Sequence, residues 1–151
     1  EVNRREPPAD RRPDLAGALY DGRLGIQPAA AVINRAAFAA VGGFDPRFPI
    51  CNDFDYWLRC GRAGVAFVYN GAVTLRYRKH PDALSSRSAA LIAESARVYL
   101  ANARGFPGRS AADARRAARR RFLDAARILC RTAPLDALRL CAAAARTLLS
   151  G

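Results

Sequence analysis

From about residue 84 to its end the chain is written largely in helix formers, Ala, Arg and Leu above all. Two breaks interrupt it, "GFPG" at Gly105–Gly108 and "TAP" at Thr132–Pro134. That composition predicts three helices, roughly 85–104, 111–131 and 134–149, with Pro134 well placed as the first residue of the last. The residues before it have a different character. Residues 1–23 are rich in Pro, Arg and Asp, and they read as a loop or linker with one short helical turn near Leu15–Tyr20. Within 24–83, three stretches have strand character: Leu24–Asn34, Val65–Asn70 and Val73–His80, with Pro28 confining part of the first to an edge or a bend. Short helices over Arg35–Ala40 and about Asp53–Arg62 are expected between them. Gly42-Gly43 ends the first, its second glycine suiting a left-handed cap, and Gly64 ends the other. The expected fold is α/β: a mixed sheet with flanking helices over 24–83, then a helical, arginine-rich region over 84–151.

At 151 residues and 51 % hydrophobic content the chain can bury the core of one domain. Its formal charge of +12 comes from 25 basic and 13 acidic residues, and Lys79 is its one lysine. Such a surface draws phosphates of any kind, on nucleic acid, lipid or a nucleotide-linked substrate, and does not choose among them. No helix-turn-helix pattern, zinc motif or aromatic RNA-binding signature accompanies the charge, so no specific nucleic-acid partner is expected. Cys51, Cys60, Cys130 and Cys141 form no C-x-x-C pair and have one histidine to join them, which predicts free, buried thiols in a reducing, cytoplasmic setting. No run of eighteen apolar residues predicts a membrane span. The chain opens at Glu1 with neither a methionine nor an apolar signal region, and the expectation is a piece of a longer protein.

One stretch concentrates the chemistry. "GGFDPRFPICNDFDYWLRCGRAG", Gly42–Gly64, holds Asp45, Asp53 and Asp55 together with the chain's only tryptophan, Trp57. Local structure explains two of the three aspartates. Asp45 before Pro46 suits a turn, and Asp55 is a capping-box partner for Asn52 as N-cap and a surface ion-pair partner for Arg59 one turn on. Asp53 has no assigned structural partner, and a carboxylate at a helix start beside an aromatic ring can accept the proton of an attacking hydroxyl.

These residues resemble a family. "GGFDPRF…NDFDYWLR…G" is similar to a segment of the family 2 glycosyltransferases, the inverting GT-A type, usually written Gly-Gly-Phe-Asp followed by Glu-Asp-x-Asp-x-Trp-Leu-Arg. Upstream "AAAVINRAAFAAVGGFD" and downstream "YRKHPDALS" extend the likeness over about residues 22–88. The resemblance implies a partial GT-A-like sheet that forms the acceptor-side half of such a domain. It implies a nucleotide-sugar donor, a glycan or lipid-linked acceptor, and Asp53 as the general base for an inverting transfer. Asn52 stands where the family has glutamate, which leaves the base present but removes a neighbouring charge.

By the same resemblance Asp55, Trp57 and Arg78 border the substrate, and His80 contacts the donor diphosphate or its metal. Trp57 is equally a core residue, and His80 equally an exposed loop histidine before Pro81. A divalent metal, Mg2+ or Mn2+, is expected for the complete enzyme, but the family's Asp-x-Asp metal motif is absent from these residues. A chain with no nucleotide-binding half is expected to be inactive alone. The alternative is a non-catalytic basic module that binds anionic membrane or nucleic acid.

In the tail, "DARRAARRRFLDAARIL" sets Arg115, Arg116, Arg119 and Arg120 on one broad face and Ala118, Phe122, Ala125 and Leu129 on an apolar stripe. This is either a packed helix with a solvated outer face or a helix that lies on an anionic membrane, peripheral to the inner face of the cell membrane.

Overall fold

The computed structural model describes residues 15–69, 71–76, 78 and 88–149. They form six α-helices: α1 (Leu15–Tyr20), α2 (Arg35–Val41), α3 (Asn52–Arg62), α4 (Ser88–Ala101), α5 (Ala111–Leu129) and α6 (Pro134–Leu149). One 3-10 turn, Pro28–Ala30, lies between α1 and α2.

The expected α/β fold with a mixed sheet does not form: no strand is present among the described residues. Within Leu24–Asn34, Pro28 starts the 3-10 turn, and Gln27 and Ala31 on either side are extended but unpaired. Residues 65–69 and 71–76 likewise have no regular structure. A strand becomes one only when a neighbour accepts its N–H and C=O groups. Without a ladder the β-branched side chains that suggested strands remain partly in water, and Val32, Val68 and Val73 are all exposed. Asn70, Tyr77, Lys79 and His80 lie outside the described residues.

The helical expectation holds in outline. α5 packs along both α4 and α6 in an up-down-up bundle. α5 starts with a capping box: the Ser110 hydroxyl accepts from Asp113 N, and Asp113 Oδ2 accepts from Ser110 N at 2.9 Å. α6 begins at Pro134, where the missing N–H has no helical partner to lose. The apolar stripe of α5 is the bundle's interior, with Ala118, Phe122 and Ala125 buried, and Arg116, Arg119 and Arg120 face water. That stripe is therefore not free to lie on a membrane.

α3 is the hub of the other layer and touches α1, α2 and α4. Its Tyr56, Trp57, Leu58 and Cys60 enter one core with Leu19, Tyr20, Tyr99 and Phe106. Gly61 permits this crowding. A Cβ there would stand 3.0 Å from two ring carbons of Phe106 and 3.2 Å from the Ala16 Cβ. Phe106 comes from the break between α4 and α5, yet it is buried against the Tyr20 ring with centroids 4.6 Å apart. The Tyr99 hydroxyl donates to the Tyr20 carbonyl and accepts from Arg121 Nη2 at 3.2 Å, which ties α1, α4 and α5 together.

Candidate functional site

The site is the start of α3 and the turns that lead into it. α2 is capped by the Asn34 side chain, which accepts from Ala36 N at 2.8 Å, and it ends at Gly42, whose φ of +83° only glycine adopts freely. The left-handed residue is therefore the first glycine of the pair and not the second. Asp45-Pro46-Arg47-Phe48 then forms a turn: Phe48 N donates to the Asp45 carbonyl at 3.2 Å, and Arg47 N donates to Asp45 Oδ1 at 2.9 Å. The Arg47 guanidinium also grips this carboxylate, and these hydrogen bonds lower the Asp45 pKa.

The N-cap of α3 is Cys51, one residue before the expected Asn52, and no side chain of its own caps it. A residue from α4 does so instead. Glu94 Oε1 accepts from Ile50 N at 2.7 Å and from Cys51 N at 2.8 Å, across 44 and 43 residues of sequence. Burial, aided by the Glu94 charge, pushes the Cys51 thiol up to about 12, so it is inert as a nucleophile at neutral pH.

Asp55 does not serve as a capping-box partner. It is 2 % exposed, its Oδ2 meets Arg59 Nε at 2.7 Å, and its Oδ1 accepts from Asn102 Nδ2 at 2.9 Å. The expected pair with Arg59 thus forms, but inside the protein instead of on its surface. The Arg59 guanidinium extends further and donates to the carbonyls of Val41 at 2.8 Å and Gly43 at 2.7 Å. The two halves of the motif, "GGFD" and "NDFDYWLR", are joined by this side chain and by the Phe44 and Tyr56 rings, whose centroids lie 5.0 Å apart.

Asp53, second residue of α3, is half-buried, and its Oδ1 accepts from Phe54 N at 2.7 Å. Asp21, Asp45, Asp55, Asp113, Asp124 and Asp136 each pair with an arginine, whereas Asp53 forms no ion pair among the described residues. Partial burial raises its pKa and outweighs the backbone N–H groups that act the other way.

Trp57 lies one turn beyond Asp53 and is 5 % exposed, packed edge-on to Tyr56 at 5.3 Å and Phe67 at 6.4 Å. It takes the core role of its two readings, and its ring has no open face for a sugar. Arg78 is exposed on a segment without regular structure, so the described residues do not bring it to Asp53 by a strand. His80 lies outside them. Among the described residues no three His, Cys, Asp or Glu side chains converge to hold a metal.

Glu94 and Asn102 were not legible as site residues, since each reads as an ordinary polar position in a helical stretch. The described grooves include one of about 340 Å³ between α4, α5 and α6, lined by Ala89, Ala93, Leu129 and Leu140 among others, and Asp53 is not part of it. No helix is long and apolar enough to cross a membrane among the described residues. No protein-family model matches the chain, and no curated protein or solved structure matches it significantly.

Proposed function

We propose that these residues carry the acceptor-side base of an inverting sugar transferase, with Asp53 as that base. The observation that carries the reading is the isolation of its carboxylate. In a chain with 25 basic residues, Asp53 is the described aspartate without an arginine, and it sits half-buried at a helix start. A carboxylate with raised proton affinity and no competing cation among the described residues suits the task of removing a proton from a hydroxyl.

In this reading Asp53 takes the proton of the acceptor hydroxyl as its oxygen forms a bond to the anomeric carbon of a nucleotide sugar. The bond to the nucleoside diphosphate breaks on the opposite side, and the configuration inverts. Asp55, Arg59, Asn102 and Glu94 act as positioning residues that fix α3 and the glycine turn around the base. The donor's phosphates are assigned to residues beyond those described, among them His80, with Arg78 the described cation nearest in sequence. A glycan or lipid-linked hydroxyl is the acceptor class that such a base serves. All four thiols are unpaired, Cys51 and Cys60 buried as expected but Cys130 and Cys141 exposed; unpaired thiols suit a reducing compartment, so the proposed setting is the cytoplasm.

The test is sugar transfer by the full-length protein carrying Asp53→Asn. A loss of about 10²- to 10⁴-fold in turnover with the fold retained is expected for a general base. An unchanged rate would remove Asp53 from the chemistry.

A further inference from the structure

α6 has two apolar faces, and only one of them is covered. Ala137, Ala144 and Thr147 are buried, and Leu140 and Ala143 pack against the core. On the other side Leu135, Leu138 and Leu148 are 72 %, 65 % and 66 % exposed, with Cys141, Ala142 and Ala145 exposed between them. At about 100° per residue these side chains form one stripe along the helix. Single exposed leucines are ordinary, but a row of them marks a contact surface.

The border of the stripe is basic. Arg139 and Arg146 follow Leu135 and Ala142 at a spacing of four, so they line one edge; the Arg139 side chain is 80 % exposed and pairs with Asp136 at 2.8 Å, a surface contact that a lipid phosphate would displace. Ile128, Arg127 and Arg131 are exposed at the adjoining end of α5. From residue 127 to residue 149 there are four arginines and one acidic residue, Asp136.

We propose that this outer face of α6 seats in the headgroup boundary of an anionic lipid surface, leucines toward the acyl chains and arginines on the phosphates. A second copy of the chain would bring one +12 charge against another. Nucleic acid would neutralise the arginines but leave the leucines in water. A lipid surface supplies an anionic layer above an apolar one within about 5–10 Å, the depth an amphipathic helix reaches. With 16 residues α6 is about 24 Å long and lies in the plane of the surface without crossing it. This inference rests on α6 and stands or falls independently of Asp53.

The test uses vesicles of phosphatidylcholine alone and of phosphatidylcholine mixed with phosphatidylglycerol. The chain is expected to co-sediment with the mixed vesicles and not with the neutral ones. Leu138→Ser weakens that binding about tenfold, and Arg139→Gln about fivefold. Both residues are exposed, so circular dichroism should show unchanged helicity. A polarity-sensitive dye on Cys141 in a Cys130→Ser background gives a direct readout, since Cys51 and Cys60 are buried, and its emission shifts to the blue on the mixed vesicles. Failure to bind the mixed vesicles overturns the proposal, as does equal binding to neutral ones. Binding that Arg139→Gln weakens and Leu138→Ser leaves unchanged overturns the seating of the leucines. A dimer in light scattering that Leu138→Ser dissolves, without vesicle binding, assigns the face to a second copy and overturns it as well.

Discussion

Arg59 Nε stands 2.7 Å from Asp55 Oδ2, one turn away along α3, while its two terminal nitrogens hold the carbonyls of Val41 and Gly43. One guanidinium therefore links a buried carboxylate to the end of α2. Removing it strands that carboxylate and frees two carbonyls at once. Arg59→Ala is expected to destabilise the protein by about 3 kcal/mol, the lower end for breaking a buried pair, as measured by urea unfolding. Arg59→Lys should recover only part of this, because a single ammonium cannot make the forked contact.

Glu94 replaces a missing cap. Glu94→Ala leaves the N–H groups of Ile50 and Cys51 without their acceptor and should cost about 2–4 kcal/mol. Glu94→Gln keeps an oxygen in the same place and should lose less than half of that. Equal losses in thermal melts of the two variants would mean that the charge, and not the acceptor, holds the turn.

Gly61 has little room for a methyl group. Ala normally gains about 1 kcal/mol over Gly inside a helix, but the ring of Phe106 stands 3.0 Å from the added Cβ. Overpacking of this kind costs about 1–3 kcal/mol, so Gly61→Ala should lower the melting temperature, and Gly61→Ala with Phe106→Leu should restore part of it.

Asp53 should lower stability at neutral pH. Its folded pKa is raised by burial, so the folded state holds the proton more tightly than the unfolded one. The penalty is fully present above the folded pKa and vanishes as pH falls below the unfolded carboxylate value of about 4. Asp53→Asn is therefore expected to melt higher than the parent at pH 7 and at the same temperature in strong acid. A lower midpoint at pH 7 would mean that the charge has a stabilising partner.

If the donor is held outside these residues, titration of a nucleotide sugar with Mg2+ or Mn2+ into the 151-residue chain should give no measurable heat. Micromolar binding would show a complete donor site within it.

The helices were readable because their signals are local. Pro134 opens α6, and Gly64 closes α3 with φ +73°, its own N–H on Gly61 and Val65 N on the Cys60 carbonyl. The turn at Asp45 and the Asp55–Arg59 pair were readable for the same reason, whereas the Asp45–Arg47 pair was not foreseen and the capping box expected of Asp55 does not form. Asp53 has no arginine partner among the described residues.

The partners that hold the site in place are distant in sequence. Glu94 and Asn102 reach α3 across more than forty residues, and Phe106 fills the core from what looks like a simple break. No periodicity within α4 marks which of its polar side chains will turn inward. The strands failed as predictions because strand propensity records only how well a side chain fits a pleated surface, and such a surface exists only when a second segment pairs with it. Helices satisfy their own backbone within four residues, so local residues suffice to specify them. Pairing, burial of Asp55 and Trp57, and the uncovered face of α6 depend on which elements meet, and only the folded packing establishes that.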